Sequence, residues 1–276
     1  MLALDTVRYA VGTNTLVVDV SLAVAPGEVV AVVGANGAGK TTLLRMASGD
    51  LSPSAGTVRL DGRALGAYEP DALARQRAVL PQHAALTFGF TAREVVLLGR
   101  TPHAAGQAQD DEVAAQALHL AGVTHLAERA YPTLSGGERQ RVHFARTLAQ
   151  LWETPTEGAR YLLLDEPTAS LDPAHQHAVL GVSKQCAEAG VGVLAVLHDL
   201  NLAAYYADRI AVLRQGCLVA LGPPSTVLTP DTIRHAFGLD ALVQTHPTAG
   251  CPLVIADPTT RHGVAPIHSL SSSTYV

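Results

Sequence analysis

The strongest chemical signal in the chain is a glycine-rich segment that ends in Lys40 and Thr41. Residues 34–41 have the sequence GANGAGKT, which matches GxxxxGK[ST], and they follow an apolar β-branched run at residues 29–33. Such glycines let backbone N–H groups surround a phosphate chain, while the lysine reaches the β- and γ-phosphates and the threonine binds Mg²⁺. The chain has only two lysines, so composition alone gives this match in roughly two of a thousand chains. The segment predicts a nucleoside triphosphate site.

Two carboxylates follow a second apolar run, at residues 161–164. Asp165 is predicted to hold Mg²⁺ through water, and Glu166 to orient and deprotonate an attacking water in an in-line phosphoryl transfer. An acidic strand end taken alone is more often a solvated loop, but the phosphate loop in the same chain favours the catalytic interpretation.

A third segment, Ser135-Gly136-Gly137-Glu138, precedes residues whose apolar positions recur with the period of a helix. Ser135 and Glu138 have the spacing of a capping box, so plain helix initiation is one interpretation. Two glycines beside a capping serine also leave N–H groups unpaired at the positive end of a helix dipole, which predicts a second anion site. Two half-sites for one triphosphate suggest a dimer.

Together, the phosphate loop and residues 134–140, 164–167 and 170–172 resemble the nucleotide-binding subunit of ABC transporters over about residues 1–245. The resemblance implies a head-to-tail homodimer, in which Ser135 and Gly137 of one chain cover the ATP that Lys40 of the other chain holds. It also implies an α/β phosphate-loop NTPase (RecA-like) core with a parallel sheet, an N-terminal antiparallel β layer and an inserted helical subdomain.

The same resemblance implies roles for further residues. Gln82 would sense Mg²⁺ and the γ-phosphate, His198 would contact the γ-phosphate, and Asp172 would cross the dimer interface. Tyr9 is the only aromatic residue before the phosphate loop and is predicted to stack on adenine, although residues 10–14 are longer than a usual tight turn. The predicted sets are Glu166, His198 and Gln82 for catalysis; Gly34, Asn36, Gly37, Ala38, Gly39, Lys40, Thr41, Thr42 and Tyr9 for the nucleotide; and Thr41, Gln82 and Asp165 for Mg²⁺.

Finer similarity connects the chain with one group of importers. Residues 77–83, 94–103 and 196–204 resemble the ATPases of bacterial importers for iron siderophores, haem and cobalamin, and residues 151–160 and 174–180 resemble the haem branch. The resemblance implies a peripheral protein on the cytoplasmic face of the inner membrane. Its partners would be transmembrane permease subunits, docked around residues 82–100, and indirectly a periplasmic substrate-binding protein, with no direct contact to the cargo.

Other functions stay open at this point. A siderophore or cobalamin importer would have the same motor residues. A non-transport ABC ATPase is less expected, because such proteins usually carry a long coiled-coil insertion or two cassettes in one chain. A phosphate-loop kinase or GTPase leaves residues 135–138 unexplained.

The elements that must position these residues follow from hydrophobic patterning. Apolar runs at 29–33, 161–164 and 191–197 predict a parallel sheet with both faces buried and its ligand at the carboxyl ends of the strands. Short runs at 16–18, 22–24 and 57–60 predict an antiparallel layer. A helical insertion is expected at about residues 86–151, and an irregular C-terminal extension at 246–276.

Composition limits the remaining possibilities. The 276 residues carry a formal net charge of -5, which argues against nucleic acid as the main partner. No apolar run reaches the ~20 residues that a membrane-spanning helix needs. The N-terminal segment has no export-signal pattern. The three cysteines are not clustered, which suggests that the protein resides in a reducing cytoplasm. His175 and His177 do not share a helix face, so no metal site is predicted there.

Overall fold

The structure is a computed structural model that describes residues 1–82 and 89–257. The strands are β1 (Leu2–Val11), β2 (Asn14–Val24), β3 (Val29–Gly34), β4 (Ala55–Leu60), β5 (Arg63–Ala64), β6 (Arg77–Leu80), β7 (Tyr161–Asp165), β8 (Gly192–Val196), β9 (Arg209–Arg214), β10 (Cys217–Gly222), β11 (Ala241–Thr245) and β12 (Pro252–Ala256). The α-helices are α1 (Lys40–Ser48), α2 (Pro70–Gln76), α3 (Ala92–Leu97), α4 (Gln107–Leu120), α5 (Gly136–Gln150), α6 (Pro173–Glu188), α7 (Leu200–Tyr206), α8 (Pro224–Val227) and α9 (Pro230–Phe237).

The central sheet has the strand order β10-β9-β3-β8-β7-β6. Its five strands β9, β3, β8, β7 and β6 are parallel, and β10 is antiparallel to β9 at the edge. Every residue of β3, β7 and β8 is buried, as expected for strands that are covered on both faces. The predicted α/β fold with a parallel core is confirmed.

An antiparallel sheet of order β2-β1-β4-β5 packs against α1 and one face of the central sheet. Residues 16–18 and 22–24, predicted as separate runs, lie in the single strand β2. Strand β1 was not predicted, because a register shift between Leu4 and Val7 interrupts its alternation of apolar and polar residues. The expectation of a long turn at residues 10–14 is wrong, because Val11 pairs with Asn14 across a two-residue turn.

The described part of the connection between the neighbouring strands β6 and β7 contains three α-helices, α3, α4 and α5. Capping boxes start two of them: the side chains of Thr91 and Ser135 accept from the backbone N–H groups of Glu94 and Glu138. Between residues 91 and 151, all of which are described, the only β pairing is one isolated bridge. Residues 83–88 lie outside the described residues, so the start of the insertion stays a prediction.

The C-terminal part corrects the expectation of an irregular extension from residue 246. Strand β12 pairs antiparallel with β11, and Asn201 on α7 fixes it, since its side chain accepts from the backbone N–H of Val254 at 2.7 Å and donates to Val254 O at 3.2 Å. The sequence pattern does not show this anchor, because the two residues are 53 positions apart. Residues 258–276 lie outside the described residues.

No helix in residues 1–82 and 89–257 is long and apolar enough to span a membrane.

Candidate active site

Four adjacent strands of the central sheet end at one edge, and each places a predicted site residue there. Gly34 ends β3, Gln82 follows β6, Glu166 follows β7 and His198 follows β8. The strands are neighbours in the order β3-β8-β7-β6, so residues far apart in sequence meet at the carboxyl edge, where ligands bind in parallel α/β sheets.

The phosphate loop is built around glycines where a side chain is disfavoured by a left-handed backbone or by close backbone contacts. Gly37 and Gly39 have φ values of 77° and 97°, in the left-handed region that favours glycine. A Cβ on Gly39 would lie 2.6 Å from Leu16 O, and one on Gly34 would lie 2.3 Å from Leu213 O. The loop therefore lies directly against β2 and β9, and its backbone N–H groups lead into the N-terminus of α1.

Lys40 is buried, with 6% of its surface exposed. Its Nζ donates to Gly34 O at 2.8 Å and to Ala35 O at 3.0 Å, and no carboxylate of the described chain lies within ion-pair distance. Burial lowers the pKa of Lys40, although the charges of Glu166 and Asp165 partly oppose this effect. A buried ammonium that is bonded only to carbonyls fits a phosphate chain as its counter-charge.

Thr41 and Asp165 place two side-chain oxygens beside this lysine. The Thr41 hydroxyl donates to Asp165 Oδ1 at 3.1 Å, and only 3% of Asp165 is exposed. Burial raises the pKa of Asp165, while the hydrogen bond from Thr41 acts in the opposite direction. A hydroxyl and a carboxylate are ligands that Mg²⁺ prefers, so this donor set fits that ion.

Glu166 is held by side chains from three other segments. Gln82 Nε2 donates to its Oε2 at 2.7 Å, His198 Nε2 lies 2.6 Å from its Oε1, and Gln140 Nε2 donates to its backbone O at 3.0 Å. The φ of Glu166 is 52°, in the left-handed region. This backbone conformation costs free energy for a residue other than glycine, and it persists where the surroundings fix the backbone. Gln140 was not predicted as a site residue, since its link to Glu166 spans 26 positions of sequence.

These residues line one open cleft of about 650 Å³. It is lined by Leu16, Asn36, Gly37, Ala38, Gly39, Lys40, Thr41, Thr42, Gln82, Glu166 and His198. The cleft thus brings together the predicted catalytic residues and most of the predicted nucleotide residues. Asp165, which accepts a hydrogen bond from Thr41, and Gly34, the first residue of the loop, are not among the lining residues.

Tyr9 is the exception, because it does not line the cleft. It pairs directly with Val17 across β1 and β2, and directly paired residues project to the same face of a sheet. Val17 is fully buried, and Tyr9 packs against the same apolar cluster. Leu16, one position along β2, lies in the cleft instead.

The remaining predicted residues form a second concavity of about 490 Å³, which Ser135, Gly136, Gly137, Glu138 and Asp172 help to line. Hydrogen bonds from the Ser135 backbone and hydroxyl lower the pKa of Glu138. A Cβ on Gly137 would lie 3.1 Å from Ser170 O, so the turn packs closely on the segment that leads to Asp172. No residue of this concavity lines the phosphate cleft of the same chain.

His175 and His177 have local partners. His175 Nδ1 lies 2.7 Å from Asp172 Oδ2, and His177 Nδ1 lies 2.8 Å from Tyr206 Oη. Residues 1–82 and 89–257 contain no cluster of three or more His, Cys, Asp or Glu that could hold a metal.

A family model, two sequence relatives and one solved structure that are similar to this chain are all ABC transporter proteins or ATP-binding cassettes. The family model described as ABC transporter matches residues 17–169. A protein named hemin import ATP-binding protein from Gloeobacter violaceus is 55% identical, covering 87% of this chain and 88% of its own length. A protein of the same name from Pseudomonas entomophila is 51% identical, covering 92% and 99%. The dimeric, post-hydrolysis structure of the ATP-binding cassette MJ0796 bound to ADP and Pi is similar with a TM-score of 0.71 at 26% identity, covering 81% of this chain and 98% of that one.

Proposed function

The chain belongs to the ABC transporter family, and on that premise we propose that it is the ATP-hydrolysing subunit of a bacterial importer for haem. The observation that carries the ATPase assignment is that Lys40, Thr41 and Glu166 line one cleft, with Asp165 bonded to Thr41 beside it. The relatives' name, hemin import ATP-binding protein, supports haem as the cargo.

The phosphate loop and Lys40 bind the triphosphate. Backbone N–H groups of residues 36–41 and the N-terminus of α1 surround the phosphates, and the Lys40 ammonium neutralises charge on the β- and γ-phosphates. Thr41 would hold Mg²⁺, Asp165 would hold it through water, and Gln82 would complete the set from the end of β6. When bound, the ion neutralises charge that develops on the phosphate oxygens.

Glu166 accepts the proton of the attacking water. Its carboxylate is fixed between Gln82 Nε2 and His198 Nε2, so its position relative to the loop is defined before substrate arrives. His198 contacts the γ-phosphate from the end of β8, and Gln82 links the metal side of the cleft to the helices that follow β6. Water attack in line with the leaving oxygen needs this fixed orientation.

A homodimer completes the site. The signature turn at residues 135–138 lies in a separate concavity of the same chain, so it can cover a nucleotide only when it comes from a second copy. Asp172 crosses the interface beside it. The exposed N–H groups at the start of α5 then face the γ-phosphate held by the partner's loop.

Transport requires permease subunits, since no helix in the described part of this chain can span a membrane. We place the subunit at the cytoplasmic face of the inner membrane, with the region of residues 82–100 as the docking surface; residues 83–88 of that region lie outside the described residues. A periplasmic binding protein delivers cargo to the permease, so this subunit does not touch the cargo. The formal net charge of -5 argues against nucleic acid as a partner.

Growth on haem or on a siderophore as the only iron source, together with growth that depends on supplied cobalamin, tests the cargo. A deletion strain without a second haem importer should fail on haem and still use a siderophore and cobalamin, and plasmid-borne wild type, but not Glu166→Gln, should restore growth. Loss of siderophore or cobalamin use instead would assign the subunit to that importer. Normal growth on all sources would contradict a role in import.

A further inference from the structure

The strands β11 and β12 form a two-stranded sheet of their own, and residues 241–256 are called the C-terminal hairpin below. A two-stranded hairpin alone is marginally stable in water, so it depends on the surface against which it packs. Here β12 contacts α7, the helix that begins two residues after His198. This helix therefore connects the C-terminal hairpin with the phosphate cleft.

Asn201 joins α7 to the hairpin through its side-chain amide. Its Oδ1 accepts from Val254 N at 2.7 Å, and its Nδ2 donates to Val254 O at 3.2 Å. Because both backbone groups of Val254 face Asn201, they point away from β11, where Val254 is paired with Val243. The amide thus occupies the open edge of β12 as a peptide group of a further strand would.

A second contact lies one turn further along the same helix. Tyr205 follows Asn201 by four positions, so the two side chains share one face of α7. The Tyr205 ring lies 6.3 Å, between centroids, from the ring of His246 in the hairpin turn. The hairpin is therefore placed along α7 at two points.

Asn201 is also bonded to the start of α7. Asp199 caps this helix, and its Oδ1 accepts from Asn201 N at 2.7 Å and from Leu202 N at 3.0 Å. Asp199 directly follows His198 in the sequence. One hydrogen bond and one peptide link therefore separate Asn201 from the backbone of His198.

The His198 side chain is not held by packing. It is 47% exposed, compared with 12% for the side chain of Glu166, from which its Nε2 lies 2.6 Å away. A half-exposed ring is free to change rotamer, so the atoms that it reaches depend on the position of its backbone at the end of β8. Contacts that fix this backbone therefore matter for the reaction.

We propose that Asn201 is a positioning residue for His198, and that the C-terminal hairpin acts through it on the rate of ATP hydrolysis without touching the nucleotide. This inference rests on the proposed ATPase function. With both amide bonds in place, the start of α7 is fixed, and His198 meets the γ-phosphate with little reorganisation. Without them, the start of α7 and His198 move together, while the phosphate loop still binds ATP.

Steady-state ATP hydrolysis by the purified full chain tests the proposal, with Kd measured by displacement of a fluorescent ATP analogue. Asn201→Ala should lower kcat about five- to twentyfold, because His198 is misplaced. Its KM and Kd should stay within about twofold, since no nucleotide-binding residue has changed. Asn201→Asp keeps an acceptor for Val254 N, and a negative charge suits the first turn of a helix. Its kcat should therefore recover to within about threefold of wild type.

Val254→Pro tests the same link from the hairpin, since it removes the N–H that Asn201 accepts. That N–H lies on the edge of β12 and not in its pairing with β11, so proline is tolerated there. We expect kcat to fall about two- to fivefold at an unchanged Kd. Thermal melts identify a misfolded variant, and Val254→Pro keeps the test decisive if Asn201→Ala does not fold.

The double variant with His198→Ala separates positioning from a general loss of stability. If Asn201 acts through His198, adding Asn201→Ala to His198→Ala should change the single-turnover rate by less than about twofold. Gln244→Ala is the matched control, because it removes an exposed amide side chain from the same hairpin, and its kcat should stay within about twofold of wild type.

Three outcomes would overturn the inference while ATP hydrolysis by wild type stands. They are an unchanged kcat in Asn201→Ala, an equal loss in Gln244→Ala, and a full further loss when Asn201→Ala is added to His198→Ala. Absence of ATP hydrolysis in wild type would overturn the proposed function itself.

Discussion

Nε2 of His198 lies 2.6 Å from Oε1 of Glu166, and this contact joins the ends of β8 and β7 at the centre of the cleft. The same carboxylate accepts from Gln82 on its other oxygen. Both oxygens of the proposed base thus have a partner, and the left-handed backbone at Glu166 is held in place by these contacts. A group fixed in this way needs little reorganisation when water attacks.

Glu166→Gln should separate catalysis from binding. The amide keeps the shape and cannot accept the water's proton, so kcat should fall about 10²- to 10⁴-fold, while the Kd for ATP stays within about threefold. Stopped hydrolysis with retained binding should also trap the ATP-bound dimer, detectable by size-exclusion chromatography.

Lys40→Ala is the comparison for that variant. Lys40 contacts charge that is present in the ground state, so its loss should weaken ATP binding itself, by about 10- to 100-fold. Near wild-type turnover in Glu166→Gln would show that another group is the base.

The local parts of the site could be predicted from sequence, because short segments determine them. The phosphate loop depends on backbone conformation within eight consecutive residues, and the strands that end at Gly34 and Asp165 are continuous apolar runs. Both carry their signal without tertiary information.

The parts that could not be predicted depend on contacts between distant residues. Leu16 lines the cleft and Tyr9 does not, because of the register of β1 against β2. A shift of one residue would exchange the faces to which the two strands' side chains project. The Gln140 side chain donates to Glu166 O, and the Asn201 side chain accepts from Val254 N in β12. No local sequence pattern predicts either partner. Element boundaries and single long-range contacts therefore depend on tertiary structure and could not be predicted from local sequence.

Mixing two inactive variants tests the composite site. A heterodimer of a Ser135→Arg chain and a Lys40→Ala chain has one site with both halves intact and one with both halves damaged. Random exchange at equal concentration makes half the dimers mixed, so ATPase activity should return to about one quarter of wild type if one site can work alone.

The control for this experiment replaces the Ser135→Arg chain by a chain that carries both substitutions, so that no intact site can form. An inactive mixture in which mass spectrometry demonstrates heterodimers would contradict independent composite sites.

Asp165→Asn should make the ligand-free protein more stable and less active. Burial raises the pKa of Asp165, so its native state binds a proton more tightly than the unfolded chain does, and the ionised carboxylate at pH 7 costs stability. Asparagine removes the charge and can still accept from Thr41. The free energy of unfolding in EDTA should rise by about 0.5–2 kcal/mol, while hydrolysis falls on the order of 100-fold or more. A lower melting temperature would contradict this account.

Glu153, in the segment between α5 and β7, pairs with a buried cation of the helical region. The Arg100 side chain is 2% exposed; its Nη1 and Nη2 donate to the two Glu153 oxygens at 2.6 and 2.5 Å, and its Nε donates to Asp110 at 2.8 Å. Glu153→Gln should cost about 1–3 kcal/mol of unfolding free energy, less than for a fully buried pair, because Asp110 remains and Glu153 is partly exposed. Glu157→Gln, an exposed change in the same segment, should stay within about 0.5 kcal/mol.

The pH dependence of that cost identifies its origin. Burial alone would raise the pKa of Glu153, but the hydrogen bonds and charge of Arg100 outweigh it and leave the pKa lowered. A carboxyl with a lowered native pKa stabilises the fold above its ordinary value, near 4.3, and loses this contribution as the pH falls through the native value. The difference between wild type and Glu153→Gln, measured by urea unfolding, should therefore be full at pH 7 and shrink below about pH 4. A difference that stays constant from pH 7 to 3 would attribute the loss to packing rather than to the ion pair.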